Sequence, residues 1–157
     1  RMVTANRTSR VRRYHLSQEL ERRLPGYRNV NDLHNMITTS ALLRDSKVLI
    51  NVHQTEQHHT LEEIRVLPAL LCGCIVVCEE SPLAAQMPYY GSLIFAPYGR
   101  LVETAEEVLR NYEQHHRRIF GDPRLTALVD GLPADMERRL EAMVKDTVAR
   151  LNPSAVP

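Results

Sequence analysis

Residues 47–82 constrain the fold more than any other part of the chain, because two apolar runs flank a helical pattern there. The first run, residues 48–52, has the length of a buried strand, and a polar loop follows it. The helical pattern ends at Gly73, and residues 75–77 then place three β-branched side chains in a row. Apart from Asn51, both runs are apolar without alternation, which is typical of parallel strands covered by helices on both faces. The stretch therefore predicts a βαβ unit.

The start of the helix inside this unit carries a recognisable sequence signal. Thr60 is a candidate N-cap, and Glu63 follows three residues later, which is the spacing of a capping box. The loop that precedes Thr60 is polar and contains histidine and glutamate. The sequence thus predicts a helix with Thr60 as its N-cap, joined to the first strand by this loop.

Weaker patterns extend the unit into a larger sheet. Residues 93–96 predict a third strand, residues 27–30 a weaker fourth, and the N-terminus could supply another. We therefore expect an α/β fold, a Rossmann-like parallel sheet of about four to five strands with helices on both faces. The expected organisation is a basic N-terminal segment (1–13), an α/β domain (14–122) and a C-terminal helical extension with a tail (123–157).

The net charge, the apolar runs and the cysteines limit which partners and which cellular location we expect. The formal net charge is +1, so there is no global electrostatic case for binding nucleic acid. No apolar run approaches the roughly 20 residues of a membrane-spanning helix. Cys72, Cys74 and Cys78 cluster too closely for a disulfide framework. A cytoplasmic protein with buried free thiols is the expectation, although a Cys-x-Cys-x3-Cys metal site is the alternative.

Ligands of open parallel sheets bind beyond the carboxyl ends of the strands, which directs attention to residues 53–60 and 79–82. The first of these loops leads into a helix N-terminus, where backbone N–H groups and the helix dipole favour an anion such as a phosphate. Polar side chains surround that point, and Glu62 and Glu63 could accept hydrogen bonds from ribose hydroxyls. The candidate side-chain donors around the helix start are His53, Gln54, His58, His59 and Thr60.

Structural explanations compete with each of these assignments. Glu63 could serve only the capping box, and Arg65 could be no more than an i,i+3 partner of Glu62. The histidines have no zinc-site spacing, and we expect neither a metal nor a cofactor. The sequence contains no GxSxG, Walker lysine loop or GxGxxG motif, so hydrolase, P-loop and Rossmann dehydrogenase functions have no motif behind them.

The same stretch resembles the C-terminal half of GT-B glycosyltransferases, with a pattern nearest to the CgeB-like and group 1 branches. That family has an apolar strand, a polar loop, a helix ending in Glu-Ala-x-Ala-Cys-Gly and a strand reading Pro-Val-Val. The matching residues here are Pro68, Ala69, Leu70, Leu71, Cys72, Gly73, Ile75, Val76 and Val77. The resemblance covers roughly residues 9–115 and implies one half of a GT-B fold, with base and ribose against the helix at 61–68.

One departure from the family pattern moves the expected ribose contact. Many retaining members carry a Glu-x7-Glu pair, and Thr60 and Pro68 occupy those positions here. Glu62, Glu63 or Arg65 would then take the place of the second glutamate. The resemblance places the donor at residues 53–60, Leu61 and Ser81, and it puts Arg12 or Arg13 within reach of a diphosphate.

These inferences predict the donor-binding domain of a glycosyltransferase, which transfers a sugar from a nucleoside diphosphate to an unknown acceptor. A full GT-B enzyme has two such domains, so we expect the chain to be a fragment or a subunit. An acceptor-binding domain in cis or in trans would complete it. A non-catalytic, flavodoxin-like α/β interaction module is the alternative function.

Overall fold

A computed structural model describes residues 7–29, 36–53, 55, 57 and 60–151, without the side chains of residues 7–11, 36, 149 and 151. Within these residues the helices are α1 (Arg7–Arg23), α2 (Met36–Arg44), α3 (Glu63–Leu71), α4 (Leu101–Arg110), α5 (Tyr112–Phe120) and α6 (Pro123–Leu151). The strands are β1 (Val48–Asn51), β2 (Ile75–Glu79) and β3 (Ile94–Ala96). The protein is therefore α/β, as the alternating patterns predict.

The sheet is parallel, and its strand order is β1-β2-β3. Its register pairs Val48 with Ile75 and Val77 with Ile94. All five residues of β2 are buried. Because successive side chains of a strand point to opposite faces, both faces of β2 are covered. Helices α3 and α4 both pack against β1 and β2, and α2 contacts α3 while α1 contacts α4.

The prediction of four to five strands is wrong for the described residues, which form three. Residues 27–29 lie in a loop, and residue 30 is outside the described chain. Residues 7–13, where a loop or a further strand was the expectation, form the first half of α1. Arg12 binds Glu79 of β2 and Arg13 binds Glu62, long-range interactions that the local pattern does not encode.

The later part of the chain is helical. Residues 101–120 form α4 and α5, which divide at Asn111. Residues 123–151, in the expected C-terminal helical extension, form one helix that continues through Pro133. The stop after α3 is as predicted, because Gly73 adopts a φ of +78°, a conformation that favours glycine.

The described fold divides into two compact units, one ending at Asp122 and one beginning at Pro123. The core of the first unit is formed by β2 together with buried side chains of α1, α3 and α4. They are Leu16, Leu20, Val66, Ala69, Leu70, Leu101, Val102, Ala105 and Val108. None of the helices in the described ranges has both the length and the apolar character needed to cross a bilayer.

Candidate functional site

The carboxyl ends of β1 and β2 gather charged side chains from three different segments. Val52 and His53 follow β1, and Glu79 is the last residue of β2. Helix α3 begins at Glu63 on the same connection from β1 to β2, so its N-terminus lies at this edge of the sheet. Helix α1 adds Arg12 and Arg13, which contact Glu79 and Val52 respectively. We call this region the carboxyl edge.

The first half of the carboxyl edge is a buried cluster around the carboxylate of Glu79. Nη1 of Arg12 donates to Oε2 of Glu79 at 3.2 Å, and Nη2 of Arg12 pairs with Oε1. The backbone N–H of His53 donates to Oε2 of Glu79 at 3.0 Å. The Arg12 guanidinium also lies over the Tyr98 ring, 4.0 Å from its centroid, and the Tyr98 hydroxyl donates to the Arg12 carbonyl oxygen at 2.7 Å. These contacts hold α1 against the carboxyl edge.

The second half contains two arginines that share one carboxylate. Nη2 of Arg13 donates to Oε1 of Glu62 at 3.3 Å and to the Val52 carbonyl oxygen at 3.3 Å. Arg65 pairs with Oε2 of the same Glu62. Desolvation and the nearby positive charge of Arg65 lower the pKa of Arg13, and Glu62 partly opposes this. The Arg13–Glu62–Arg65 cluster therefore combines two cations with one anion, and the Arg65 side chain is 48% exposed.

Helix α3 does not begin as the capping-box pattern predicts. Its N-cap is Glu62, with no side-chain cap hydrogen bond, and Thr60 is exposed two residues before it. The backbone N–H of Glu63 donates to the Leu61 carbonyl oxygen, which makes a turn ahead of the helix. Leu61 is buried and anchors this turn. The carboxylate of Glu63 accepts a hydrogen bond from the Tyr89 hydroxyl instead of bonding back to Thr60.

The remaining predicted donor-binding residues fall in different places. Gln54, His58 and His59 lie outside the described residues. The His53 ring is buried, with Nδ1 3.9 Å from Oε2 of Glu79. Ser81 lines a depression of about 310 Å³ with Glu80, Pro82, Tyr90 and Phe95, where the Tyr90 and Phe95 rings stack at 4.8 Å.

The sequence patterns directed attention to residues 79–82 but gave Glu79 no role, and they missed Tyr89 and Tyr98. Glu79 is the first residue of that range and the last residue of β2, a position that marks a candidate site residue. Tyr89 and Tyr98 give no comparable signal, because nothing in the local pattern shows which arginine or carboxylate they reach. Their contacts with Glu63 and Arg12 span 26 and 86 positions of sequence.

The cysteines are free: Cys74 and Cys78 are buried, and Cys72 is partly exposed. Burial raises the pKa of both the Cys74 and the Cys78 thiol to about 12, so both are protonated at neutral pH. Among the described residues, no group of three or more His, Cys, Asp or Glu side chains has an arrangement that could hold a metal ion.

Comparison with known proteins finds similarity over only part of the chain. No protein-family model matches the chain, and no solved structure matches it. A stretch of 85 residues is 27% identical to an uncharacterized protein of Acanthamoeba polyphaga mimivirus. The match covers 52% of this chain and 30% of the viral protein, so the chain spans less than a third of that relative's length.

Proposed function

We propose that this chain is the donor-binding domain of a GT-B-like glycosyltransferase and binds a nucleoside diphosphate sugar at its carboxyl edge. The Arg13–Glu62–Arg65 cluster is the observation that carries the proposal. It lies at the N-terminus of α3, which follows a parallel strand of the sheet. That is the position where α/β proteins bind phosphate groups.

The charges of this cluster favour a second anion. Two guanidinium groups share the single carboxylate of Glu62, and desolvation lowers the pKa of Arg13 together with repulsion from Arg65. A diphosphate that approached Arg65 from solvent would relieve that repulsion. Guanidinium groups match phosphate oxygens in geometry and form paired hydrogen bonds with them. The dipole of α3 adds to the attraction for negative charge.

The adjoining carboxylates suit the ribose of the same ligand. An ionised carboxylate has about four lone-pair sites. Glu63 uses one oxygen to accept the Tyr89 hydroxyl, which orients the group and leaves acceptor capacity. Glu63 is exposed in the first turn of α3, on the helix that the family resemblance assigns to base and ribose. We therefore assign ribose recognition to Glu63 and diphosphate recognition to Arg13 and Arg65.

This arrangement would assist glycosyl transfer by stabilising the leaving group, which is the nucleoside diphosphate. Negative charge builds on the diphosphate as its bond to the sugar breaks, and fixed cationic donors lower the energy of that state. Arg13 is held by the Val52 carbonyl oxygen as well as by Glu62, so its position is set before the ligand arrives. The acceptor and a catalytic base would come from a second domain.

Two observations favour the second candidate, a non-catalytic interaction module. Arg12 is already satisfied by Glu79, by the Tyr98 ring and through its own backbone carbonyl. A cluster with such a complete set of internal partners can serve stability alone. The exposed apolar side chains of α6 are also typical of a protein that binds other proteins.

A thermal-shift panel with UDP, GDP and their sugars distinguishes the two candidates. Ligand at about 100 times its Kd stabilises the folded state by about 2.7 kcal/mol and raises the melting temperature. Arg65→Gln should reduce that rise. Arg138→Gln is the matched control, because Arg138 forms an equivalent exposed i,i+3 pair on α6. No shift with any nucleotide at millimolar concentration would reject the donor domain and favour the interaction module.

A further inference from the structure

We propose that α6 pairs antiparallel with α6 of a second copy of this chain, forming a two-fold symmetric dimer. The inference is independent of nucleotide binding. It rests on an apolar stripe of α6 and on the order of charges beside it.

The apolar stripe consists of Met136, Leu140, Met143, Val144 and Val148, whose side chains are 51% to 68% exposed. Their spacing of three and four residues places them along one side of the helix. Side chains of this size on one helical face are normally buried against a partner. The stripe therefore has the form of half of a helix–helix interface.

The helix also has an internal reason to require a partner. Its 29 residues include Gly131 and Pro133, and glycine and proline both disfavour a helix interior. Helices in water are stabilised mainly by packing of an apolar face. In the segment after Pro133, the apolar stripe is the face available for that packing.

The charges beside the stripe identify a second copy as the partner. Asp135, Arg139, Asp146 and Arg150 lie along one flank of the apolar stripe, and they read minus, plus, minus, plus. Reversing the helix turns this order into plus, minus, plus, minus. In an antiparallel pair Asp135 therefore faces Arg150 of the second copy, and Arg139 faces Asp146. The midpoint of both pairings lies between residues 142 and 143, which is also the middle of the apolar stripe.

This self-complementarity is what a two-fold interface demands, because residue i contacts j and j contacts i. Within one helix, Arg139 pairs with Asp135 at 2.8 Å and Arg150 pairs with Asp146 at 2.7 Å. The two arginines are 82% and 78% exposed, so both retain donors for a facing helix. A parallel pair would bring this flank against the opposite one, which has Glu137 and Glu141 instead of the matching sequence of charges.

Light scattering coupled to size exclusion, with the full chain, tests the proposal. The native chain should show a mass near twice 18.0 kDa that falls on dilution. Arg139→Asp and Asp146→Arg each create two like-charge contacts per dimer, so each variant alone should have a dimer Kd raised roughly tenfold or more. An equimolar mixture of the two variants restores both opposite-charge contacts and should dimerise as the native chain does.

Lys145→Asp is the matched control, since it makes the same charge change on the side of α6 away from the apolar stripe and should leave the dimer intact. Far-ultraviolet circular dichroism confirms that each variant is folded. A native chain that stays at 18.0 kDa at every concentration overturns the proposal. So does a mixture that remains as dissociated as its components, which would assign the apolar stripe to a different partner.

Discussion

Arg12 of α1 and Glu79 of β2, which are 67 positions apart in the sequence, form a part-buried ion pair at the carboxyl edge. Their side chains are only 12% and 9% exposed. The pair joins a helix that precedes the sheet to the last residue of its central strand. The same carboxylate accepts the backbone N–H of His53, so it also fixes the end of the β1 segment.

The first prediction concerns this pair. Glu79→Gln should lower the free energy of unfolding by about 2–4 kcal/mol, because it leaves the buried Arg12 guanidinium without a counter-charge. Urea denaturation measures the change. In the Glu79→Gln variant, Arg12→Met should lower the free energy of unfolding by less than it does in the native chain, because the two residues are coupled.

An exposed pair provides the comparison. Glu103 pairs with Arg100 through side chains that are 51% and 72% exposed. Glu103→Gln should change stability by less than about 0.5 kcal/mol, since solvent screens such pairs. Equal losses for Glu79→Gln and Glu103→Gln would show that the Arg12–Glu79 pair does not hold α1 to the sheet.

The second prediction concerns the start of α3. Thr60→Ala should change stability by less than about 0.5 kcal/mol, because Thr60 is exposed and the helix has its N-cap at Glu62. A working threonine cap would cost about 1 kcal/mol when removed. Urea midpoints of Thr60→Ala and Tyr89→Phe should differ, with the larger loss at Tyr89, whose hydroxyl binds Glu63. A larger loss of stability for Thr60→Ala than for Tyr89→Phe would show that Thr60 does cap α3.

These results show which parts of the fold local sequence can predict. The strands β1, β2 and β3 follow from short apolar runs, and the stop of α3 follows from Gly73, because both depend on neighbouring residues. The early half of α1 could not be predicted in this way. Its residues are polar, and their helical conformation is supported by Arg12 and Arg13 reaching Glu79 and Glu62 far along the chain.

The contacts of the candidate site also fall into two groups: those that local spacing predicts and those that depend on long-range packing. Glu62 and Arg65 are one turn apart on α3, so their pairing could be expected from spacing. The approach of Arg13 to Glu62 spans 49 positions and depends on how α1 packs. The capping-box pattern predicted the wrong N-cap because Leu61 is buried and Tyr89 binds Glu63. The residues around Thr60 in the sequence do not indicate either effect.

The third prediction concerns alkaline pH. Burial raises the pKa of the Cys74 and Cys78 thiols from 9.0 to about 12. Above pH 9 the unfolded chain releases these protons while the folded chain keeps them. Stability should therefore fall as the pH rises from 9 towards 12, by about 1 kcal/mol per thiol between pH 8 and pH 10.

Urea midpoints at pH 8 and pH 10 measure this loss. Other groups also titrate in the range, so the comparison is with Cys74→Ala/Cys78→Ala. The double variant should be less stable at pH 8 and should lose less stability between the two pH values. Parallel losses in both proteins would contradict the assigned thiol burial.

We propose that Arg13 and Arg65 bind the diphosphate of the donor. Calorimetric titration with uridine, UMP and UDP, and with the guanosine series, measures how much each phosphate contributes to binding. UDP or GDP should bind at least about tenfold more tightly than its monophosphate, a difference near 1.4 kcal/mol. That difference should disappear in Arg65→Gln and persist in Arg138→Gln. Equal affinity for nucleoside, monophosphate and diphosphate, or no binding by any of them, would show that these arginines do not form a diphosphate site.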